Sequence, residues 1–339
     1  MTYGIISDLP ENIHQKPIYT SNTFNYLQKI RLLKHVRKFK KEIDIFHYIF
    51  TPTKENSFLI KKFLDSEKTK SIQTIATLRE DLFSEEEIKK LIFGNLIITY
   101  SQYAKNKLNK LGFNNVEQIY PGIDLEQYSP AQKYIPLMQT MGITFEDFVV
   151  IYPGEFSRLG NIEKLIDKII RYGALLKKNK IKFILAFRVK NKKDRRKKEK
   201  IKKILKNHNL NNEVIVPLTD FFTSMEKIYN LADIIIFPVE NMCGKFDVPL
   251  AIIEAMACAK PVIISDLPIL SELANEKNSV KIKTGDLEEL FEKIIEAYNH
   301  REKYSEIGKN ANSYAQDKFD IKKIAEKYNQ IYKKLTLNN

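Results

Sequence analysis

Short, nearly continuous apolar runs recur along the whole chain between longer amphipathic stretches, and this alternation constrains the fold more than any other feature. The runs are rich in Val, Ile and Phe, as strands covered on both faces by helices require. They lie at residues 43–50, 70–77, 95–101, 116–122, 147–154, 181–189, 213–217, 232–239 and 260–266. Stretches such as 101–112 and 161–173 have helical spacing and end at a glycine, which predicts that the helices stop there. Alternating strands and helices predict α/β sheets that are parallel and doubly wound.

The number of runs predicts two domains rather than one. A single open sheet of ordinary size would not hold all these strands, whereas 339 residues suffice for two cores. The periodicity breaks near residues 128–146, where the chain passes through YSPAQKYIP. We therefore predict two Rossmann-like domains that face each other across a cleft, at residues 1–140 and 141–339. Amphipathic helices from Asp286 onward are expected to end the second domain.

The composition indicates a globular protein that prefers anionic partners. Apolar residues make up 43% of the chain and charged residues 29%, and the formal net charge is +14. The two cysteines, Cys243 and Cys258, are too few for a disulfide framework, and no zinc-like cluster of Cys and His occurs. The N-terminus does not resemble a signal peptide, and no run approaches about 18 apolar residues. We expect a cytoplasmic protein, at most peripheral to the inner face of a membrane.

The segment FDVPLAIIEAMACAKPVIISD, residues 246–266, predicts a helix followed at once by a strand. Asp247 is a good N-cap, and Pro249 falls where proline is tolerated in the first turn. The amino end of such a helix offers free N–H groups and a positive dipole end to an anion. Glu254, about two turns into the helix, can accept hydrogen bonds from hydroxyls such as a ribose diol. An ordinary packed helix with a solvated glutamate is an equally good interpretation on physical grounds alone.

The segment YPGEFSRLGNIEKL, residues 152–165, predicts a second anion-binding element. A strand ends at Gly154, and the following loop carries Arg158 just before the next helix begins. A guanidinium in this position suits bidentate contact with a phosphate, although a surface loop arginine remains the alternative. Arg188 and Lys190, at the end of the next strand, are candidates for a second positive charge.

The residues LAIIEAMACAKPVIISD, preceded by YNLADIIIFPV, closely resemble the C-terminal signature of the family-4 retaining glycosyltransferases, which have the GT-B fold. The resemblance runs from about Val149 to the C-terminus and continues more weakly through residues 101–130. It implies that residues 141–339 form the nucleotide-sugar donor-binding domain and that residues 1–140 form the acceptor-side domain.

The resemblance also assigns donor contacts to particular residues. In the family, a glutamate and a second glutamate eight positions later contact the donor, and the second, which usually holds the ribose, maps to Glu254. The first position is occupied by Phe246, so Asp247 is the nearest acidic candidate for the sugar hydroxyls and for catalysis, with Lys245 beside it. The family's strand–Gly–Arg element grips the diphosphate. Here Glu155 stands where arginine is usual, and Arg158 would have to substitute.

The N-terminal half carries fewer signals. His47 lies in IDIFHYIF, and the family often has a histidine in a similar segment, which makes His47 a catalytic candidate; a satisfied, half-buried histidine is as good an interpretation. Ala76 occupies a position where the family commonly has histidine. The family begins with a strand and a glycine-containing loop, but no glycine occurs between Gly4 and Gly94. The first βα unit is therefore expected to be atypical or shortened.

Two basic stretches could form interaction surfaces. Residues 26–41 place Tyr26, Leu27, Ile30 and Leu33 on one helical face among many cations, which fits either an anionic membrane surface or packing on the sheet, with packing slightly favoured. Residues 190–206 are more basic but have no aromatic side chain, so we expect a solvated helix and no nucleic-acid partner.

The resemblance implies a retaining glycosyltransferase that uses a nucleotide-diphosphate sugar as donor, and we expect no further cofactor and no metal. Fixed cations and helix dipoles would stabilise the leaving diphosphate. The acceptor would be a glycan or a lipid-linked or protein-linked group, as in polysaccharide biosynthesis. Two alternatives remain open at this point: a nucleotide-sugar epimerase on the same fold, and a GT-B-like partner subunit without catalysis.

Overall fold

A computed structural model describes residues 26–39, 42–49, 51–63, 69–156, 162–215 and 224–337, together with Glu11, Ile13 and His14. The strand that TYGIIS suggests near the start of the sequence and the predicted phosphate ligand Arg158 lie outside these residues. Within the described ranges, no helix has both the length and the apolar character needed to cross a membrane.

The first sheet has four parallel strands whose spatial order follows the chain, β1-β2-β3-β4. The strands are β1 (Ile45–Ile49), β2 (Lys70–Ile75), β3 (Leu96–Thr99) and β4 (Val116–Gln118), and the helices are α1 (Tyr26–Phe39), α2 (Lys54–Phe63), α3 (Glu85–Leu91) and α4 (Gln102–Lys110). Because the order never reverses, these four strands extend in one direction only.

The second sheet has six parallel strands in the order β10-β9-β8-β5-β6-β7. Its elements are α5 (Ile135–Met141), β5 (Phe148–Glu155), α6 (Ile162–Lys178), β6 (Ile181–Arg188), α7 (Lys192–Asn207), β7 (Val214–Ile215), α8 (Met225–Leu231), β8 (Ile234–Phe237), α9 (Leu250–Ala257), β9 (Val262–Ser265), α10 (Pro268–Ser271), β10 (Val280–Ile282), α11 (Leu287–Asn299) and α12 (Arg301–Lys318). The strand order reverses between β5 and β8, and ligands of open α/β sheets bind at such a reversal, outside the carboxyl ends of the strands.

The predicted fold class is confirmed, and each of the nine predicted runs contains a strand. One strand was missed: β10 has only three residues, Val-Lys-Ile, and is too short to give a periodic signal. The predicted helix stop at Gly173 is wrong, because α6 continues to Lys178. A Cβ atom at Gly173 would lie 3.1 Å from a methyl carbon of Leu210, so this glycine permits close packing and does not end a helix.

The last helix, α13 (Ile321–Leu337), crosses back to the first domain. Its Ile324 and Ile331 pack in one cluster with the strand residues Ile72 and Ile98 of the first sheet and with Ile119, which follows β4. This corrects the expectation that all helices after Asp286 complete the second domain. The crossing is fixed by two backbone hydrogen bonds, from Ile123 N to Phe319 O at 2.8 Å and from Ile321 N to Ile123 O at 3.0 Å.

Replacing Gly122 by alanine tests how closely the linker packs against the start of α13. The added methyl group would lie 2.8 Å from the Cα atom of Ile321, and backbone cannot move aside as a flexible side chain can. We expect Gly122→Ala to cost on the order of 1–3 kcal/mol of unfolding free energy, seen by circular dichroism as a Tm lower by several degrees. Gln132→Ala, at an exposed linker position, is the control. An unchanged Tm in Gly122→Ala would contradict the close crossing.

Candidate functional site

A cavity of about 420 Å³ lies between the two domains. It is bounded on one side by the carboxyl ends of the strands of the first sheet and on the other by the loop that leads into α9. Its lining residues are Ile49, Thr51, Thr74, Ala76, Tyr100, Tyr120, Pro121, Gly122, Phe246, Val248, Leu250, Ile324 and Tyr328. Among these described residues, the polar atoms belong to hydroxyl and backbone groups, and the walls are mostly aromatic and aliphatic.

Helix α9 points its amino end at this cavity. The N-cap is Pro249, which makes no side-chain capping bond, and Leu250, the first helical residue, lines the cavity. The first N–H groups of a helix have no partner within the helix, and the dipole favours an anion there. The predicted N-cap, Asp247, is wrong by two residues. The physical reason is that the Asp247 carboxyl is held by the other domain and does not turn back to cap α9.

Asp247 is nearly inaccessible, with 4% of its surface exposed. Its Oδ2 atom accepts a hydrogen bond from the Ser101 hydroxyl at 2.8 Å, and the Thr77 hydroxyl gives a second. Burial raises the pKa of Asp247 to about 7, the hydroxyl donors oppose this rise, and the nearby carboxylates of Glu272 and Glu80 add to it. The predicted contact between Asp247 and sugar hydroxyls stays a prediction, because both observed side-chain partners are protein groups of the first domain.

Glu254 lies on α9 in a half-buried position, facing α8 and the linker. The Tyr229 hydroxyl donates to its Oε2 atom at 2.9 Å, and the Tyr128 hydroxyl is a second partner. Burial raises the pKa of Glu254, while the two tyrosine hydrogen bonds favour its ionised form. Two hydroxyl donors leave acceptor capacity on the carboxylate, so the predicted ribose contact is compatible with the observed partners.

The predicted cations Arg188 and Lys190 lie together at the carboxyl ends of β5 and β6. Glu155 pairs in register with Arg188. Its carboxylate lies 2.6 Å from Lys190 Nζ and 3.8 Å from Arg188 Nε. Gly154 precedes this group in β5. One carboxylate and two cations leave a net positive charge at this edge.

Lys245 lies in the loop between β8 and α9, where its ammonium group donates to the Asn241 carbonyl oxygen at 3.1 Å. The bond stays within the same loop, which includes Phe246 and Val248 of the cavity wall. No group of three or more His, Cys, Asp or Glu residues that could hold a metal occurs in the part of the chain that the structure describes.

His47 lies in the middle of β1 and not at its end, so its predicted position is wrong. Strand β1 ends at Ile49, two residues later. The Nδ1 atom of His47 lies 2.7 Å from the Tyr332 hydroxyl, and Nε2 lies 2.6 Å from Thr74 Oγ1. Burial lowers the pKa of His47 and so favours the neutral ring. Thr74 lines the cavity, and the catalytic role assigned to His47 stays a prediction.

Several residues of the site carry no recognisable sequence signal. Tyr128 and Tyr229 meet at Glu254 from the linker and from α8, and Ser101 and Glu272 meet near Asp247 from different domains. Their partners are more than 20 residues away along the chain, so helical or strand periodicity could not identify them. A serine that opens a helix, as Ser101 does, indicates an N-cap but not its second partner.

The raised pKa of Asp247 predicts a pH-dependent stability. The folded-state pKa of about 7 exceeds the ordinary value of 3.8, so the stability that the protonated carboxyl contributes is lost as pH rises through about 7. The loss between the two pKa values is at most roughly 1.4 kcal/mol per pH unit. We therefore expect the Tm of Asp247→Asn, relative to that of the wild type, to increase between about pH 5 and about pH 8. A constant Tm difference across that range would contradict the assigned pKa.

The sequence model described as "Glycosyl transferases group 1" matches residues 139–314, and no curated protein matches the chain. HepE of Anabaena, solved with UDP and glucose, is 19% identical, with a TM-score of 0.74 over 92% of this chain and 84% of its own. Sucrose-phosphate synthase of Thermosynechococcus elongatus is 17% identical, with a TM-score of 0.75 over 95% of this chain and 81% of its own.

A glycosyltransferase of Rickettsia africae is 16% identical, with a TM-score of 0.74 over 95% of this chain and 85% of its own. At such identities these three structures show the fold alone, and the fold is GT-B: two Rossmann-like domains with a cleft between them. The family model spans more than half of the sequence. The chain therefore belongs to the glycosyl transferases group 1.

Proposed function

We propose that this protein transfers a sugar from a nucleotide-diphosphate sugar to a glycan, lipid-linked or protein-linked acceptor, with retention of configuration and without a metal. The observation that carries the proposal is the position of α9, whose amino end opens onto the interdomain cavity and whose Glu254 is held by two tyrosine hydroxyls. Membership of the glycosyl transferases group 1 supports sugar transfer.

The diphosphate of the donor would bind between two sources of positive potential. The N–H groups of Leu250 and Ala251, at the start of α9, provide one. Arg188 and Lys190 provide the other, and we expect Arg158, which is close in sequence to Glu155, to add to it. Glu155 neutralises part of this charge and fixes the orientation of Lys190. Because two cations lie beside one carboxylate, a net attraction for a diphosphate remains. HepE binds UDP in its solved complexes, which agrees in kind with a nucleotide diphosphate at such a site.

The ribose would bind at Glu254. A carboxylate that accepts from Tyr229 and Tyr128 is fixed in orientation and retains lone pairs for two further donors. Vicinal ribose hydroxyls supply two donors at a suitable separation. Because hydrogen bonds to an ionised acceptor are stronger than neutral ones, this contact would contribute substantially to donor affinity.

In the proposed reaction the bond between the anomeric carbon and the phosphate oxygen breaks, and its electron pair stays on the diphosphate. The acceptor hydroxyl approaches from the same face, forms the new glycosidic bond and gives its proton to the departing phosphate oxygen. Charge that develops on the diphosphate is stabilised by fixed dipoles and cations, which need no reorganisation during the step.

We also propose that the protein contacts an anionic membrane surface from its first domain, at the inner face of a membrane. In α1, Leu33 and Val36 pack against the cluster of Ile60 and Phe93. Toward the start of the same helix, Tyr26 and Leu27 are 77% and 69% exposed, and Ile30 is also exposed. A helix that presents apolar side chains among lysines and arginines fits a lipid interface, which suits a lipid-linked acceptor.

Removing the Glu254 carboxylate should weaken donor binding without unfolding the protein. We expect Glu254→Ala to reduce nucleotide affinity by about tenfold or more, because a charged hydrogen bond contributes roughly 1.5–3 kcal/mol, and to abolish measurable transfer. Arg158→Ala should act in the same direction. Calorimetric titration with UDP and other nucleoside diphosphates, together with transfer assays over a panel of donor sugars, measures both effects.

Glu302→Ala, at an exposed position on α12, is the matched control for that experiment. Full transfer activity in Glu254→Ala and Arg158→Ala would reject the site. Nucleotide binding by the wild type without transfer to any acceptor would instead favour a non-catalytic partner subunit. Conversion of the donor alone into another sugar, followed by NMR, would favour an epimerase.

The membrane contact is testable by sedimentation with lipid vesicles. The double variant Leu27→Ser, Ile30→Ser should bind phosphatidylglycerol-containing vesicles at least about tenfold more weakly, since each buried aliphatic side chain contributes roughly 1.5–3 kcal/mol. Leu337→Ser, which changes a still more exposed leucine at the end of α13, is the control. Equal sedimentation of the double variant and the control would contradict the proposed contact.

A further inference from the structure

The amino end of α4, in the first domain, is occupied by a carboxylate from the second domain. Glu272, which follows α10, accepts a hydrogen bond from Gln102 N at 3.1 Å on Oε1 and from Tyr103 N at 3.0 Å on Oε2. These are the first two residues of α4. Both orphan N–H groups and the positive end of the helix dipole are thereby satisfied across the domain boundary.

A second carboxylate of the same domain reaches the same helix end. Ser101, the N-cap of α4, accepts from Ala104 N at 3.0 Å and donates its hydroxyl proton to Asp247 Oδ2 at 2.8 Å. The backbone joins this contact, because Asp247 N donates to the carbonyl oxygen of Ala76 at 3.0 Å. Two side chains and one backbone group of the second domain therefore hold one small region of the first.

We propose that Asp247 and Glu272 are positioning residues, an interdomain clamp that sets the arrangement of the two domains in which the cavity is formed. Asp247 stands between Phe246 and Val248, which both line the cavity, so its anchor fixes the position of that wall. Ala76, its backbone partner, lines the opposite wall. The second domain would thus bring the amino end of α9 to the acceptor side through this clamp.

Glu272 is also connected to the cavity, through a hydrogen bond. The hydroxyl of Tyr120, a cavity residue, is a hydrogen-bond partner of the Glu272 carboxylate. The Tyr314 hydroxyl on α12 donates to the Glu272 backbone oxygen at 3.3 Å, which ties the clamp to the body of the second domain. A shift of Glu272 would therefore move both the helix end that it binds and one aromatic wall residue.

The clamp is also built so that it can open. Burial disfavours the ionised form of both carboxylates, and Glu80 and Glu272 lie close enough to Asp247 to repel it. The hydrogen bonds from α4 and from Ser101 offset that cost only while the domains are together. Separation would return both carboxylates to water, which would offset part of the loss of these hydrogen bonds, and substrate entry to an interdomain cavity requires such an opening.

The test compares Glu272→Gln, an isosteric change that removes the charge, with Glu276→Gln, an exposed carboxylate four residues later. Small-angle X-ray scattering of the full chain, with and without UDP, reports the domain arrangement. We expect a larger radius of gyration and at least a tenfold lower kcat in Glu272→Gln, with UDP affinity unchanged within twofold. Ser101→Ala should behave alike, and Ser101→Thr, which keeps the hydroxyl, should restore kcat.

The kcat and UDP-affinity readouts rest on the proposed function, whereas scattering without UDP tests the clamp even if no transfer is found. Wild-type scattering by both Glu272→Gln and Ser101→Ala would overturn the clamp. A loss of UDP affinity equal to the loss of kcat would also overturn it, because these residues would then act in donor binding. If Glu272→Gln does not fold, Asp247→Asn takes its place with scattering as the readout.

Discussion

Parallel pairing of every described strand is the constraint on which the rest of the structure depends. In a parallel sheet all carboxyl ends lie at one edge, and the helix that follows each strand begins at that same edge. Each domain therefore collects its loops, its free helix N–H groups and its strand-end side chains on one side. When two such edges face each other, as they do here, a single cavity is bounded by both.

The amino ends of α4 and α9 both lie near this cavity but have different hydrogen-bond partners. Helix α4 carries a full set of partners: Ser101 caps it, and Glu272 accepts from its first two N–H groups. Helix α9 begins at Leu250, its N-cap Pro249 makes no side-chain capping bond, and its amino end faces the cavity. One helix end thus serves to join the domains, and the other is available for an anionic ligand. The difference follows from which side chains surround each end, since both helices have the same dipole.

The sequence predicts the strands well because their cores are uniform. Residues such as Val149, Val150 and Ile151 are inaccessible on both faces, so apolar runs and strands coincide. The predicted position of Glu254 on a helix next to a strand is likewise confirmed, because helical spacing is a local property. The packing partner of α13 could not be predicted. An amphipathic pattern shows that one face of a helix is buried but does not identify the element that covers it. The same holds for Gly173, where the sequence cannot separate a helix stop from a close contact.

The polar part of the site could be predicted less well because long-range pairing decides it. Asp247 satisfies the local rule for an N-cap, yet its carboxyl bonds to Ser101, 146 positions earlier in the chain. A buried carboxylate needs hydrogen-bond donors, whichever part of the chain supplies them. Here the hydroxyls of the other domain are better placed than the N–H groups of α9. Because Asp247 is used in this way, no side chain among the residues that the structure describes caps α9. That outcome favours an anionic ligand, since a carboxylate capping α9 would compete with the diphosphate for the same N–H groups.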